Sequence, residues 1–142
     1  KDSVTTEELK SETMLLLGNG HCFRDHVLEV CPEFARFSSD AEGIRKSFEG
    51  SSLETIKYMV AAGMGITLVP RLSVPREALE DRKRRHEDIY VKYLPVQDGK
   101  GALPPTRRVV LAWRRSFTRY EAIAALRNAI YGCELPGVTR LS

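Results

Sequence analysis

Apolar residues gather at a few places along the chain, and their spacing predicts an element at each. Residues 4–10 read as a short helical turn, with Thr5 or Thr6 placed to cap it and Leu9 facing inward. "ETMLLLG" (12–18) is an unbroken apolar run stopped by Gly-Asn-Gly, the profile of a buried strand entering a turn. After it, Phe23, Val27, Val30 and Phe34 recur at helical spacing. "IRKSFEG" (44–50) alternates weakly, as a strand does. "SSLETIKYMVAAGMGITLVP" (51–70) is the clearest unit. Ser51 and Glu54 stand at capping-box spacing, Leu53, Ile56, Met59 and Val60 share one helical face, and Gly63 is a natural stop. "ITLV" then predicts a buried strand closed by Pro70.

The second half reads less evenly. Residues 75–88 have the polarity of an exposed helix or loop that starts at Pro75. "IYVKYLPV" (89–96) alternates as a strand, and 97–106 carries the Asp-Gly, Lys-Gly and Pro-Pro pairs of a loop. "RRVVLAWRR" (107–115) predicts a strand. "RYEAIAALRNAIYG" (119–132) predicts an amphipathic helix with Ile123, Leu126 and Ile130 inward and Gly132 as its stop. Strands alternating with helices and no internal repeat give an α/β fold with a largely parallel sheet.

Length and charge narrow the class without naming a chemistry. A chain of 142 residues, 42% hydrophobic and 29% charged, is one domain's worth of ordinary globular sequence. Its net charge of +3 is too small to imply nucleic-acid binding. No apolar run reaches the roughly 20 residues of a membrane span. The basic run at 82–85 is flanked by acids and reads as a solvated face. Lys1 opens a polar stretch without a methionine, which predicts a segment of a longer protein that begins inside a domain. Three cysteines, an odd number and without a secretion signal, point to a reducing cytoplasm rather than a disulfide framework.

The candidate chemistry lies in "GNGHCFRDHVLEVC", residues 18–31. At about 100° per residue, Phe23, Val27, Val30 and Phe34 form the buried stripe and Cys31 falls on its edge. Cys22, Asp25, His26 and Glu29 share the opposite, polar face. Nine residues of helix rise about 13.5 Å, whereas bridged cysteines need Cα atoms within about 7 Å. Either the pair never bonds or bonding unfolds the segment. Cys22 sits in the first turn, near unpaired backbone N–H groups and the positive end of the helix dipole. His21 and Arg24 favour its thiolate, while Asp25 and Glu29 oppose it. A cysteine beside a core is by default a small hydrophobe. A metal is not expected, because an intact helix lets only Cys22 and His26 converge.

These motifs carry a resemblance. "GHCFRD" followed by a second cysteine nine residues after the first is similar to the redox segment of the OxyR family, hydrogen-peroxide-sensing regulators of LysR type. Residues 51–70, then "VVLAWRR" and "RYEAIAALRNAI", resemble the effector-domain helix and the closing strand and helix of LysR-type proteins. The resemblance implies a partial, periplasmic-binding-protein-like regulatory domain. Residues 1–106 would be most of the second Rossmann-like subdomain, and 107–142 the closing strand and helix of the first. Cys22 is then the peroxidatic cysteine, oxidised by hydrogen peroxide to a sulfenic acid, and Cys31 the resolving cysteine that forms the disulfide. His21, Arg24 and Asp25 support the thiol pocket, with Arg114, preferred over Arg115, as a pocket arginine. Cys133 matches no redox position.

The same resemblance implies a homo-oligomer, dimer or tetramer, in the whole regulator. It implies DNA contact only through an N-terminal helix-turn-helix that this chain lacks, and glutathione and glutaredoxin as reductants. It implies no cofactor, no membrane partner and no enzymatic turnover. Two other classes stay open: a LysR-type domain holding a small anion at Ser51 or Ser52, at a helix N-terminus, and a thiol peroxidase.

Overall fold

Four consecutive apolar residues, Met14 to Leu17, are buried on both faces of their strand, and the rest of the domain is arranged around them. The computed structural model describes residues 2–36, 47–76, 78, 91–97 and 104–141. In chain order the elements are β1 (Val4–Thr5), α1 (Thr6–Leu9), β2 (Met14–Leu17), α2 (Cys22–Val30), α3 (Glu33–Arg36), β3 (Ser47–Gly50) and α4 (Leu53–Ala61). A 3-10 turn (Arg71–Ser73), β4 (Val96–Gln97) and α5 (Tyr120–Gly132) follow.

Side chains alternate across a strand, so β2 serves two layers at once. Met14 and Leu16 join Leu9, Val27, Cys31 and Phe34 in one core, beneath α1, α2 and α3. Leu15 and Leu17 pack with Ile56 in the other, beneath α4. A parallel strand covered on both sides needs no polar face, which is why "MLLL" is continuous rather than alternating. Each such side chain contributes roughly 1.5–3 kcal/mol by leaving water.

Two short parallel sheets result. β2 pairs with β3 from Met14↔Ser47 to Leu17↔Gly50, and β1 pairs with β4 at Val4↔Val96 and Thr5↔Gln97. On its other edge β2 meets a single parallel bridge, Met14↔Ile66, made by Leu15 N–H to the Ile66 carbonyl (2.7 Å) and Ile66 N–H to the Thr13 carbonyl (2.8 Å). Gly65 makes that approach possible. A Cβ built on it would collide with the Thr13 carbonyl oxygen, and its φ of 155° suits glycine alone.

The first half follows the sequence pattern closely. Thr5 caps α1 with a complete capping box through Glu8, Leu9 is buried, and Gly63 ends the turn after α4. Two details differ. The cap of α4 is Ser52 rather than Ser51: its hydroxyl accepts the Thr55 N–H at 3.1 Å, and Glu54 pairs with Lys57 (2.7 Å) instead of closing a capping box. "ITLV" gives one bridge and no strand. The Thr67 hydroxyl donates to the Leu15 carbonyl (2.8 Å), occupying an acceptor a longer ladder would use.

The second half departs further. Of the strand predicted over 89–96, residues 89–90 lie outside the described residues, 91–95 run without a ladder, and Val96 pairs, with Gln97 after it. The strand predicted over 107–115 is irregular chain that joins no sheet among the described residues. Alternation records two faces, but a strand also needs a neighbouring backbone to bond. α5 forms where predicted, yet it buries no residue: Ile123 is half-buried, and Leu126 and Ile130 are exposed. Val109 and Val110, each 71% exposed, line a groove with Leu111, Arg127, Ile130 and Tyr131. The readings of 82–85, and of most of 75–88 and 97–106, lie outside the described residues.

Candidate redox site

The two cysteines of interest sit at the two ends of α2. The turn Gly18–Gly20 delivers the chain to His21, the N-cap residue, whose extended backbone (φ −87°, ψ 115°) accepts the Arg24 N–H at 2.9 Å. Its imidazole makes no capping bond and is exposed. Cys22 is therefore the first helical residue, with its thiol open to solvent. Asp25, also exposed, adds a carboxylate to the first turn, where the helix dipole favours it. Val27 turns into the core, and Cys31, the C-cap residue, is 1% exposed among Leu9, Met14, Leu16 and Phe34. Phe34 belongs to α3, so the buried stripe read as one helix is shared by two, separated at Cys31-Pro32.

Burial pushes the Cys31 thiol up to about 11, with the carboxylate of Glu33 adding to the rise and the Lys10 ammonium opposing it. Lys10 bridges Glu7 (2.7 Å) and Glu33 (2.8 Å), and so ties the end of α1 to the start of α3 beside Cys31. The two thiols therefore differ in kind: one is open to water, the other protonated and enclosed. Both are free, and about 13.5 Å of helix separates them. Cys133, the third, is exposed after α5, its thiol donating to the Ala129 carbonyl at 3.2 Å.

Arg24, expected to favour the Cys22 thiolate, is engaged with the two strands. It is 7% exposed and runs beneath the helix, where Nη1 donates to the Leu17 carbonyl (2.7 Å) and to Glu49 Oε1 (2.8 Å). Arg114 is exposed, and its guanidinium makes no hydrogen bond or ion pair to α2 among the described residues. Arg107 reaches α2 instead, its guanidinium lying 5.3 Å from the centre of the Phe23 ring. Sequence reasoning missed Glu49 and Arg107, because neither stands in a motif with α2. His26 is half-buried, and its Nδ1 is buried without a hydrogen-bond partner among the described residues.

Ser51 is exposed, and the Ser52 hydroxyl is engaged by Thr55, so α4 presents its start already capped. No group of three or more metal-ligating side chains occurs among the described residues. No helix among them is long and apolar enough to cross a membrane.

Comparison with known proteins bears on this geometry. Residues 1–131 match the family model described as LysR substrate binding domain. The chain is 37% identical over 127 residues to the hydrogen peroxide-inducible genes activator of Pectobacterium carotovorum subsp. carotovorum, covering 87% of this chain and 36% of that protein. It is 36% identical over 136 residues to the DNA-binding transcriptional dual regulator OxyR of Escherichia coli K12, covering 93% and 39%. Among solved structures, a reduced form of OxyR from N. meningitidis superposes with a TM-score of 0.76 at 34% identity, over 99% of this chain and 59% of that one. The chain thus spans little more than a third of the length of the curated relatives it matches.

Proposed function

Because the chain belongs to the LysR substrate-binding domain family, we propose that it is the redox-sensing regulatory part of a peroxide-responsive transcription regulator. The observation that carries this reading is the contrast between Cys22, exposed at the start of α2, and Cys31, enclosed at its end. The Cys22 thiolate attacks one oxygen of hydrogen peroxide, breaking the O–O bond, and yields a sulfenic acid and hydroxide. The Cys31 sulfur, giving up its proton, then attacks the sulfenic sulfur, and water leaves as the disulfide forms. At pH 7 a thiol at about 11 is ionised in about one molecule in ten thousand. Resolution therefore waits for α2 to open and bring Cys31 to water.

That opening is the signal. The bridge cannot coexist with an intact α2, so oxidation converts one thiol's chemistry into a change of shape. In the whole regulator, a dimer or tetramer in the cytoplasm, the change passes to a separate DNA-binding domain, and glutathione with glutaredoxin restores the dithiol. The protein is oxidised once per signal and does not turn peroxide over repeatedly, so it acts as a sensor and not as an enzyme. Residues 1–106 act as the second regulatory subdomain, and 107–142 supply the closing strand and helix of the first. The apolar side chains that 107–115 and α5 leave exposed support that division.

The test is a peptide map made without reductant after brief peroxide treatment. A Cys22–Cys31 bridge is expected. Cys22→Ser should abolish it, Cys31→Ser should stop at a trappable sulfenic acid on Cys22, and Cys133→Ser should change nothing. A Cys22–Cys133 bridge as the main product would overturn the assignment.

A further inference from the structure

A guanidinium is seldom buried without a reason, since removing its charge from water costs several kcal/mol unless it is paired and hydrogen-bonded. Arg24 meets both conditions. It lies in the first turn of α2, two residues after Cys22, and is 7% exposed. Its Nη1 reaches the Leu17 carbonyl at the end of β2 (2.7 Å) and the Glu49 carboxylate on β3 (2.8 Å). One side chain thus pins the cysteine-bearing turn to both strands of the central pair. From this geometry we infer that the Arg24–Glu49 ion pair is a latch: it holds α2 docked in the dithiol form and thereby sets the midpoint potential of the cysteine pair.

The inference rests on the disulfide reading above and adds residues to it. Bridging must shorten a span of about 13.5 Å to about 7 Å or less. The Cys31 end is enclosed by Leu9, Met14, Leu16 and Phe34, and the Lys10–Glu33 pair (2.8 Å) anchors the segment just beyond it. Among the described residues the Cys22 end is tied to the strands by one ion pair, that of Arg24, so closure draws the first turn away from β2 and β3 and parts the guanidinium from its acceptors. The dithiol form keeps the ion pair and the disulfide form loses it. A latch that stabilises only the dithiol makes the disulfide easier to reduce. Arg24 and Glu49 are positioning residues here and touch no reacting atom.

Glu49 is the residue to change, because its side chain is 49% exposed and its truncation leaves no cavity. In the full chain, equilibrated with glutathione disulfide and glutathione, protein dithiol gives up two hydrogens as one glutathione disulfide becomes two glutathiones. Glu49→Ala should raise the equilibrium constant for protein oxidation about tenfold, lowering the midpoint by about 30 mV. Glu49→Gln, whose amide oxygen still accepts, should shift it less. Arg24→Lys, whose shorter side chain carries no donor to the place of Nη1 between the two acceptors, should shift it in the same direction. Glu54→Gln, an equal loss of charge on α4, should leave it unmoved. A Glu49→Ala midpoint equal to that of the native protein would overturn the latch. If the native protein forms no Cys22–Cys31 bridge, the functional reading falls, and hydrogen exchange of the all-thiol protein decides the latch alone. Glu49→Ala should then speed exchange of amides 24–30 about tenfold while those of 56–61 hold, and unchanged exchange at 24–30 would refute it.

Discussion

Residues 14–61 and residues 104–141 carry the same kinds of pattern, an apolar run followed by an amphipathic helix, and they reach opposite outcomes. In the first, Met14–Leu17 have helices on both faces, and Ile56 of α4 is completely buried against Leu15 and Leu17. In the second, Val109, Val110 and Trp113 remain at least half exposed, and α5 buries nothing. The difference lies in the surroundings: β2 has a strand on one edge, a bridge on the other and helices above and below, while 107–115 has α5 along one side. An amphipathic pattern states which face seeks burial. Whether burial happens depends on what arrives to cover it.

The sharpest way to break this contrast is to cut one large apolar side chain from each region. Phe34→Ala should cost about 3–5 kcal/mol in urea unfolding, because a completely buried ring leaves a cavity in the core beside Cys31. Ile130→Ala, on the exposed face of α5, should stay within about 0.5 kcal/mol. Similar losses from both would mean that α5 packs in solution as β2 does.

A second test uses pH and acts on the packed region alone. The Cys31 thiol ionises at about 11 in the fold and at 9.0 ordinarily, so between these values the unfolded chain releases a proton that the folded chain keeps. Stability should therefore be level below about pH 9 and fall as pH rises towards 11. Lys10, held charged by Glu33 and Glu7, begins to lose its own contribution only above 10.5. Between pH 9 and 10 the loss is thus the Cys31 thiol's and not that of Lys10, and Cys31→Ala should flatten the slope there in pH-dependent urea titrations. A native slope of zero would remove the enclosed-thiol argument.

The smallest effect compares the two helix starts. Ser52→Ala removes the bond to the Thr55 N–H and should cost about 1 kcal/mol. Arg119→Ala, at the start of α5, removes no capping bond and should be near neutral. Ser51→Ala should be near neutral as well, and a larger loss there than at Ser52 would restore the capping box first read from the sequence.

What the sequence made legible was local. The Thr5 cap, the strand at Met14–Leu17 and the opposed settings of Cys22 and Cys31 all follow from spacing over a few residues. The family resemblance was legible for the same reason, since its motifs are contiguous. The strand expected at 107–115 failed because its partner is not encoded in its own pattern. Arg24 stood in the motif, but its partners, a backbone carbonyl on β2 and a carboxylate on β3, were not legible there. The contact of Arg107 with Phe23 was not legible either, because it joins positions far apart in the chain. Such pairs leave no periodic trace.

Gly65 limits how the sheet can move. Only a residue without a Cβ lets the chain come close enough to Thr13 for Ile66 to bond beside β2, and a one-residue slip of β2 would send Met14 and Leu16 to the layer of Leu15 and Leu17. The central strand is thus locked in register from both edges and forms a fixed frame on which α2 is docked. Of twenty amino acids, one fits position 65 without shifting that frame.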